Sequence, residues 1–543
     1  MPKFTFKHKW TLIPIILIIL AIYYYVALPV VNIHNTGTWL LGIVLIGLVF
    51  VFYTAKKHIS WKKEEIKAHP GSNILKYILI IAILALIIGS ILSSPIINAN
   101  KYQKLMPVQN GTFAKDVKEL EFSKIPILDK STAELLGDRK MGSMVDMVSQ
   151  FEADDRYTQI NYKGNPVRVS PLKYASVIKW LTNQNKGIPA YIRINMATQA
   201  TEIVKLKDGM KYTTSDHFNR NIYRHLRFAH PTYIYGDLSF EIDEEGTPYW
   251  IAPVKKYNIG LFGGETVGRA VICNAITGEC KDYAIKDVPQ WVDRVFSADL
   301  LVNLFNYHGS LKHGFLNSVL GQKDCVEATD GYNYLALDDD VWMYTGVTSV
   351  NGDQSNVGFV LANQRTMQTK YYTVEGATES SAMKSAEGQV QNLNYDATFP
   401  LLLNISGEPT YFISLKDDSG LVKKYAMVNV QKYQIVGIGD TVSECQEKYL
   451  ELLSTNGIKD KEQSEKKKIE TTEGSVEKIT PIVVDGNSHY YITLKGDTKI
   501  YDISIVSFPE SINLANGDKV TIEYQPGEKI NTILTLKSEK YKL

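Results

Sequence analysis

Three consecutive carboxylates, Asp338, Asp339 and Asp340, form the densest group of chemically capable side chains in the sequence. Adjacent carboxylates can bind Ca²⁺ or serve as general acid and base. The ligand spacing of an EF-hand is absent, and successive residues of a strand point to opposite faces. The triplet is therefore interpreted as a solvated turn ahead of a strand, with a calcium site as the alternative.

Two cysteines, Cys273 and Cys280, lie on either side of a turn in the segment VICNAITGEC. If residues 275–278 form the loop of a hairpin, the two cysteines are directly opposed and close enough for a cross-strand disulfide. Two unpaired thiols are the alternative, because four cysteines in 543 residues do not make a disulfide framework.

Other chemical signatures are missing from the sequence. His217, His225 and His230 do not follow the HExxH pattern of a zinc protease, and the loop GLFGGETVG lacks the lysine and hydroxyl residue of a P-loop. No nucleophile elbow or SxxK set of motifs is present. We therefore predict no catalytic residue, no resident metal and no cofactor.

A repeat organises the middle of the chain. The segment VICNAITGECKDYAI, from Val271, aligns with VLANQRTMQTKYYTV, from Val360, and a weaker copy begins at Ala426. An aromatic strand precedes each copy and places Trp250, Trp342 and Tyr411 at corresponding positions in this alignment. These aromatics are interpreted as core residues, with a ligand groove for a glycan or peptide as the alternative.

The pattern of an apolar strand, the letters NAITGE and a second strand resembles PepSY-type modules. The resemblance is carried by residues 271–283 and 407–453, which are less than half of the region after the apolar segments. It implies small α+β modules outside a bacterial membrane, without catalytic residues, that bind or inhibit a partner. The layout of the whole chain also resembles multi-span cell-envelope proteins of low-GC Gram-positive bacteria.

Three apolar runs, at residues 11–31, 38–54 and 77–97, indicate three N-terminal transmembrane helices. Lysines lie before the first run and between the second and third, whereas residues 32–37 carry none. Because positive loops stay in the cytoplasm, we expect a multi-pass protein of the cell membrane with a cytoplasmic N-terminus. Everything after about residue 98 is then extracytoplasmic.

The expected fold class is a membrane-anchored α+β protein with repeated antiparallel modules and a small C-terminal β-barrel of the OB or SH3 type. The alternation of the last seventy residues indicates the barrel. The expected divisions are a three-helix transmembrane anchor at 1–97, a connector at 98–126, a mixed α/β region at 127–236, repeated modules at 237–457, a charged linker at 458–473 and the barrel at 474–543.

Composition limits the function. The 59 basic and 58 acidic residues are balanced, which argues against a nucleic-acid binder. The lipid bilayer and an envelope protein or polymer are the expected partners. The sequence favours a non-catalytic binding or scaffolding protein of the bacterial cell envelope. A hydrolase acting on envelope polymers or peptides, and a PepSY-like regulator of a protease, are the alternatives.

Overall fold

A computed structural model describes residues 9–58, 70–120, 124–337, 339–350, 355–458, 470–484, 487–505, 507–527 and 530–538. The chain is mostly β-sheet, arranged in four open sheets and one closed barrel. The prediction of an α+β fold with three transmembrane helices is therefore wrong. Most of the predicted charged linker, and Asp338, lie outside the described residues.

The N-terminal helices are α1 (Lys9–Ala27), α2 (Thr36–His58) and α3 (Pro70–Leu92). Among the described residues, one helical stretch, Asn73–Leu92, is long and apolar enough to cross a membrane. The apolar stretches of the other two helices, Leu17–Ala27 and Thr36–Val51, are shorter. The first predicted span was too long because its apolar residues continue beyond Ala27, where Leu28 adopts a φ of 50° and the helix ends.

The remaining helices are short and connect the sheets. They are α4 (Pro95–Gln103), α5 (Phe113–Asp116), α6 (Lys130–Gly142), α7 (Val177–Asn183), α8 (Ile222–Ala229), α9 (Ala298–Ser310), α10 (Glu379–Gln389) and α11 (Val442–Thr455). Several begin at a hydroxyl or carboxylate side chain that accepts a backbone N–H of the first turn, as Asp129 does for Thr132.

Four sheets follow one another along the chain, and each is largely an antiparallel meander. Sheet 1 contains β2 (Phe151–Ala153), β3 (Thr158–Tyr162), β4 (Asn165–Tyr174), β5 (Ile188–Asn195) and β6 (Thr201–Met210). Sheet 2 contains β7 (Ser239–Ile242), β8 (Pro248–Ile259), β9 (Gly263–Asn274) and β10 (Cys280–Ala284). Sheet 3 contains β11 (Val326–Ala328), β12 (Asn333–Leu337), β13 (Asp340–Ser349), β14 (Ser355–Asn363) and β15 (Thr369–Ala377), with β1 (Val108–Asn110) added in parallel to β15. Sheet 4 contains β16 (Asp396–Ala397), β17 (Leu401–Ile405), β18 (Glu408–Lys416), β19 (Val422–Asn429) and β20 (Val436–Gly439).

The C-terminal part is a closed barrel of five strands in the order β21–β22–β23–β25–β24. Its strands are β21 (Glu470–Val484), β22 (Asn487–Leu494), β23 (Ile500–Ser504), β24 (Lys519–Gln525) and β25 (Ile530–Ser538). Closure leaves no open sheet edge. The barrel has a hydrophobic core of its own, whereas one large core runs through all four sheets.

An asparagine turn recurs once in each sheet. Asn195, Asn274, Asn363 and Asn429 each accept, through the side-chain oxygen, the backbone N–H groups two and three residues later. The side chain thereby supplies the bonds that the turn backbone lacks. The turn at Asn195, in the segment INMATQATEI, is a fourth copy of the repeat that the sequence comparison missed.

Strand register corrects the alignment of the aromatic residues. Tyr249, Trp342 and Thr410 lie opposite the turn asparagine of their sheets. Trp250 and Tyr411 are therefore equivalent to each other, but Trp342 is one residue out of step with them. A shift of one residue places a side chain on the opposite face of a strand.

The turn asparagines differ in burial, which allows a matched comparison. Asn363 is buried, and its amide also donates to Asp340 at 2.8 Å, whereas Asn195 is half-buried. We expect Asn363→Ala to lower the unfolding free energy by about 2–3 kcal/mol and Asn195→Ala by about 1 kcal/mol, because only the first also removes a hydrogen bond to a buried carboxylate. Denaturant unfolding of both variants measures the difference. Equal losses of unfolding free energy in the two variants would show that the turn hydrogen bonds, and not the contact to Asp340, determine the loss.

Candidate functional site

The aspartates singled out in the sequence do not converge. Asp340 is buried and accepts from Arg365 Nε at 2.7 Å and from Asn363 Nδ2 at 2.8 Å. Asp339 adopts a φ of 68° and accepts from Asn161 Nδ2 at 3.2 Å. Among the described residues, no group of three His, Cys, Asp or Glu side chains could hold a metal ion. The two described aspartates therefore serve as hydrogen-bond acceptors between elements.

Cys273 and Cys280 are joined by a disulfide across the β9–β10 hairpin, where they are paired in register. The turn at Asn274 fixes this register, because it closes the hairpin directly after Cys273. Cys325 and Cys445 are buried free thiols.

The aromatic residues proposed for a groove lie in the interior. Trp250 and Tyr411 have no exposed surface, and Trp342 is also buried. All three belong to the large core. The groove interpretation is replaced by the core interpretation, because these rings have no surface with which to meet a ligand.

A central cavity of about 670 Å³ lies where the sheets meet. It is bounded by β3 and β4 of sheet 1, residues 236–238 before β7, the loop before α9, β12, and Phe399 between β16 and β17. Its polar lining includes Gln159, Arg168, Arg294, Tyr332 and Tyr334. No single segment of the sequence contains this site, since its walls come from residues 129–399.

Arg168 is the unusual residue of the central cavity. It is 6% exposed and occupies, by register, the position that Trp250 and Tyr411 fill in sheets 2 and 4. Its Nη1 donates to the carbonyl of Tyr157 at 3.3 Å and its Nη2 to Gln159 Oε1 at 3.4 Å. Burial lowers the pKa of Arg168, but a guanidinium stays charged in proteins. Arg168 is therefore a cation at a position that buried apolar or aromatic residues, Trp250, Met343 and Tyr411, fill in the other sheets.

Two buried donors in the cavity wall have no partner in the described part of the chain. They are Arg168 Nε and Gln159 Nε2. Within the same residues, no carboxylate forms an ion pair with Arg168 or Arg294, which also lines the cavity. Buried donors without acceptors are costly, and buried charges are normally paired. These unpartnered donors match a ligand that carries several acceptor atoms and a negative charge.

Tyr332 and Tyr334 complete the cationic end of the cavity. Their ring centroids are 5.7 Å apart. Burial raises the pKa of Tyr334, although the positive charges of Arg294 and Arg168 nearby oppose that rise. The phenol therefore stays protonated at neutral pH and can donate a hydrogen bond to a ligand.

A carboxylate knot, formed by Glu241 and Asp293, holds the walls of the cavity in place. Glu241 accepts the backbone N–H groups of Asp293 at 2.8 Å and Arg294 at 3.0 Å. Asp293 in turn accepts the N–H groups of Asn161 at 2.6 Å and Val341 at 3.2 Å. The knot thereby ties strands of sheets 1, 2 and 3 together and fixes the backbone from which Arg294 projects.

One carboxylate at the rim of the cavity, that of Asp129, is already engaged. Asp129 accepts from Lys416 Nζ at 2.7 Å. Burial opposes ionisation, but hydrogen bonds from Lys416 and Thr132 outweigh it and lower the pKa of Asp129 to about 2. This group is ionised at neutral pH and cannot serve there as a general acid.

Sequence reasoning missed Arg168 and Arg294. The fourth copy of the asparagine turn alone does not reveal Arg168, because 27 residues separate Arg168 from Asn195 whereas 24 separate Trp250 from Asn274. Only the strand register sets Arg168 at the position of Trp250. A charged residue at a core position of a repeat is informative, because natural folds break such a rule mainly at functional sites. Arg294 leaves no comparable pattern.

Comparisons with known proteins identify no relative by sequence. No protein-family model matches the chain, and no curated protein matches it. Among solved structures, a levansucrase variant from B. megaterium aligns with 79% of this chain and 96% of its own, at 8% identity and a TM-score of 0.17.

The carboxylate knot should leave a signature in the pH dependence of stability. Burial raises the pKa of Glu241, and burial together with repulsion from Glu241 raises that of Asp293. The folded state then binds more protons than the unfolded state, so this contribution to stability is present at low pH and lost as the pH rises through the raised values. For Glu241→Gln, we expect the unfolding free energy of the wild type minus that of the variant to fall as the pH rises above 4.5, the ordinary pKa of glutamate.

Asp129→Asn provides a control of opposite sign. Because the pKa of Asp129 is lowered to about 2, its contribution is present above its unfolded value of 3.8 and lost as the pH falls. The corresponding difference should rise between pH 2 and pH 4. Denaturant unfolding at a series of pH values measures both. A difference for Glu241→Gln that is constant or rises with pH would contradict the account.

Proposed function

We propose that this chain is a non-catalytic, membrane-anchored binding protein of the bacterial cell envelope, which holds an anionic ligand in an extracytoplasmic central cavity. The observation that carries the proposal is the buried guanidinium of Arg168, whose Nε has no acceptor in the described residues. Together with Arg294 and Gln159, it supplies several donors and two positive charges on one wall. Carboxylates and phosphates match such donors because each offers several acceptor oxygens.

Energetics support binding as the reason for this arrangement. A buried charge without a counter-charge destabilises a fold by several kcal/mol unless hydrogen bonds compensate it. An anion between Arg168 and Arg294 would supply both the charge and the acceptors. Binding of the anion would then offset the cost of burying the charge of Arg168.

Two observations support the extracytoplasmic location. The stretch Asn73–Leu92 is long and apolar enough to cross a membrane. Lysines are concentrated before it, which favours a cytoplasmic side for the preceding segment. The disulfide between Cys273 and Cys280 belongs to the following region, and disulfides persist mainly in oxidising compartments.

Isothermal titration of the full chain in nanodiscs with inorganic phosphate, and separately with citrate, tests the proposal. We expect at least one of the two anions to bind the wild type and to lose affinity at least tenfold in Arg168→Met. Arg193→Met is the matched control, because Arg193 lies on the neighbouring strand and pairs with Glu202 at 2.7 Å. That variant should bind like the wild type. Unchanged binding by Arg168→Met, or no binding of either anion by the wild type, would contradict the proposal.

The same variant should behave oppositely in stability. Without ligand, we expect Arg168→Met to raise the unfolding free energy by about 1–4 kcal/mol, because replacing an uncompensated buried charge by an apolar side chain removes its desolvation cost. Arg193→Met removes an exposed ion pair and should change stability by less than about 1 kcal/mol. A large loss of stability in Arg168→Met would instead indicate that Arg168 has a structural role.

A further inference from the structure

Exposed apolar side chains gather on one face formed by α7, α8 and the segment before α8, here called the α7–α8 face. Ile178 is 70% exposed and Phe218 is 64% exposed. The other large apolar members of this face are Val177, Leu181 and Phe228. Lys179 and Lys186 lie on and just after α7. An exposed apolar patch of this kind, bordered by basic residues, is typical of an interaction surface.

A second apolar patch lies in the segment 315–320, after α9. Leu316 and Leu320 are 73% and 80% exposed, and Val319 is also exposed. Lys312 and Lys323 flank the segment. Its first residue, Phe315, packs on the small core that α4 forms with the end of α9.

Both patches adjoin the point where α3 ends. The hairpin tip between β8 and β9 is fastened to α3, because Ser93 Oγ accepts the N–H groups of Leu261 at 2.9 Å and Phe262 at 3.1 Å. On one side, α4 continues from α3, and Tyr102 contacts Tyr307 of α9 with ring centroids 4.7 Å apart. The segment 315–320 is thereby placed close to the apolar helix.

The α7–α8 face is connected to the same point through α1. Arg224 of α8 donates to the carbonyl of Tyr25 at 3.1 Å and stacks over its ring. Phe228 contacts the ring of Tyr24, with centroids 5.8 Å apart. After α1, His34 forms a hydrogen bond to the carbonyl of Leu261 at 2.7 Å. Leu261 belongs to the hairpin tip that contacts the end of α3.

We infer that the α7–α8 face and the segment 315–320 dock onto the phospholipid surface of the membrane that α3 crosses. This inference rests on the membrane location in the proposed function, but not on the cavity. Apolar side chains beside lysines suit the boundary between lipid headgroups and acyl chains, where the rings and branched chains enter the bilayer and the ammonium groups meet phosphates. Two patches on either side of the anchor hold the body against the bilayer and fix its orientation.

Labelling of the full chain tests the docking. Cysteine is introduced singly by Ile178→Cys, Leu320→Cys and, as the control, Val145→Cys, whose native residue is 85% exposed but lies on neither patch. Each variant carries an environment-sensitive nitrobenzoxadiazole label and is reconstituted into phosphatidylcholine–phosphatidylglycerol vesicles that contain nitroxide-labelled lipid. The labelled wild type corrects for the buried native thiols Cys325 and Cys445.

Docking predicts that the labels at 178 and 320 emit at shorter wavelength than the label at 145 and are quenched by the nitroxide lipid at least twofold more strongly. Emission and quenching equal to those at 145 would overturn the inference. Vesicle flotation in alkaline carbonate separates this failure from that of the proposed function. A chain that floats with solvent-exposed labels keeps its anchor but does not dock, whereas a chain that fails to float loses both the anchor and the docking.

Discussion

Two buried carboxyl groups, Glu241 and Asp293, set the constraint on which the arrangement of the sheets depends. Their oxygens accept backbone N–H groups from β3, β13 and the loop that carries Arg294. These N–H groups lie deep in the interior, where water cannot replace the missing acceptors. The two carboxyl groups are costly to bury, but their hydrogen bonds join three sheets beside the cavity, in addition to the apolar core that all four sheets share. The central cavity thus exists because polar groups, and not packing alone, join its walls.

The cavity is built where the repeat departs from its own rule. Each sheet has the same asparagine turn and the same antiparallel meander. The residue that follows the one opposite the turn asparagine is Trp250 in sheet 2 and Tyr411 in sheet 4, and both are core residues. Sheet 1 places Arg168 there. Such a substitution lowers stability in the absence of a ligand, which is the usual cost of a binding site held open by a rigid scaffold. The repeated sheets therefore form the scaffold, and Arg168, the residue that differs between them, forms part of the site.

Local patterns in the sequence predicted the local structure well. The strands around NAITGE, the opposed positions of Cys273 and Cys280 and the five closing strands at the C-terminus follow from alternation and turn chemistry, which act over a few residues. The first predicted transmembrane span was too long because an apolar run does not show where its helix ends, and α1 ends at Ala27. Trp342 was misaligned because the hairpins differ in length, and only the strand register shows that Met343 is the residue equivalent to Trp250 and Tyr411. The cavity could not be predicted, since its walls are separated by up to 270 residues and meet only through tertiary contacts.

The central claim is that Arg168 and Arg294 together bind an anion, and anomalous diffraction tests it directly. Crystals of the full chain soaked in selenate would carry a tetrahedral dianion whose selenium can be located by its anomalous signal. The account predicts a selenium peak in the central cavity, with a selenate oxygen within about 3 Å of Arg168 Nε. Selenium peaks confined to surface lysines, with Arg168 Nε bonded to a protein acceptor, would contradict it.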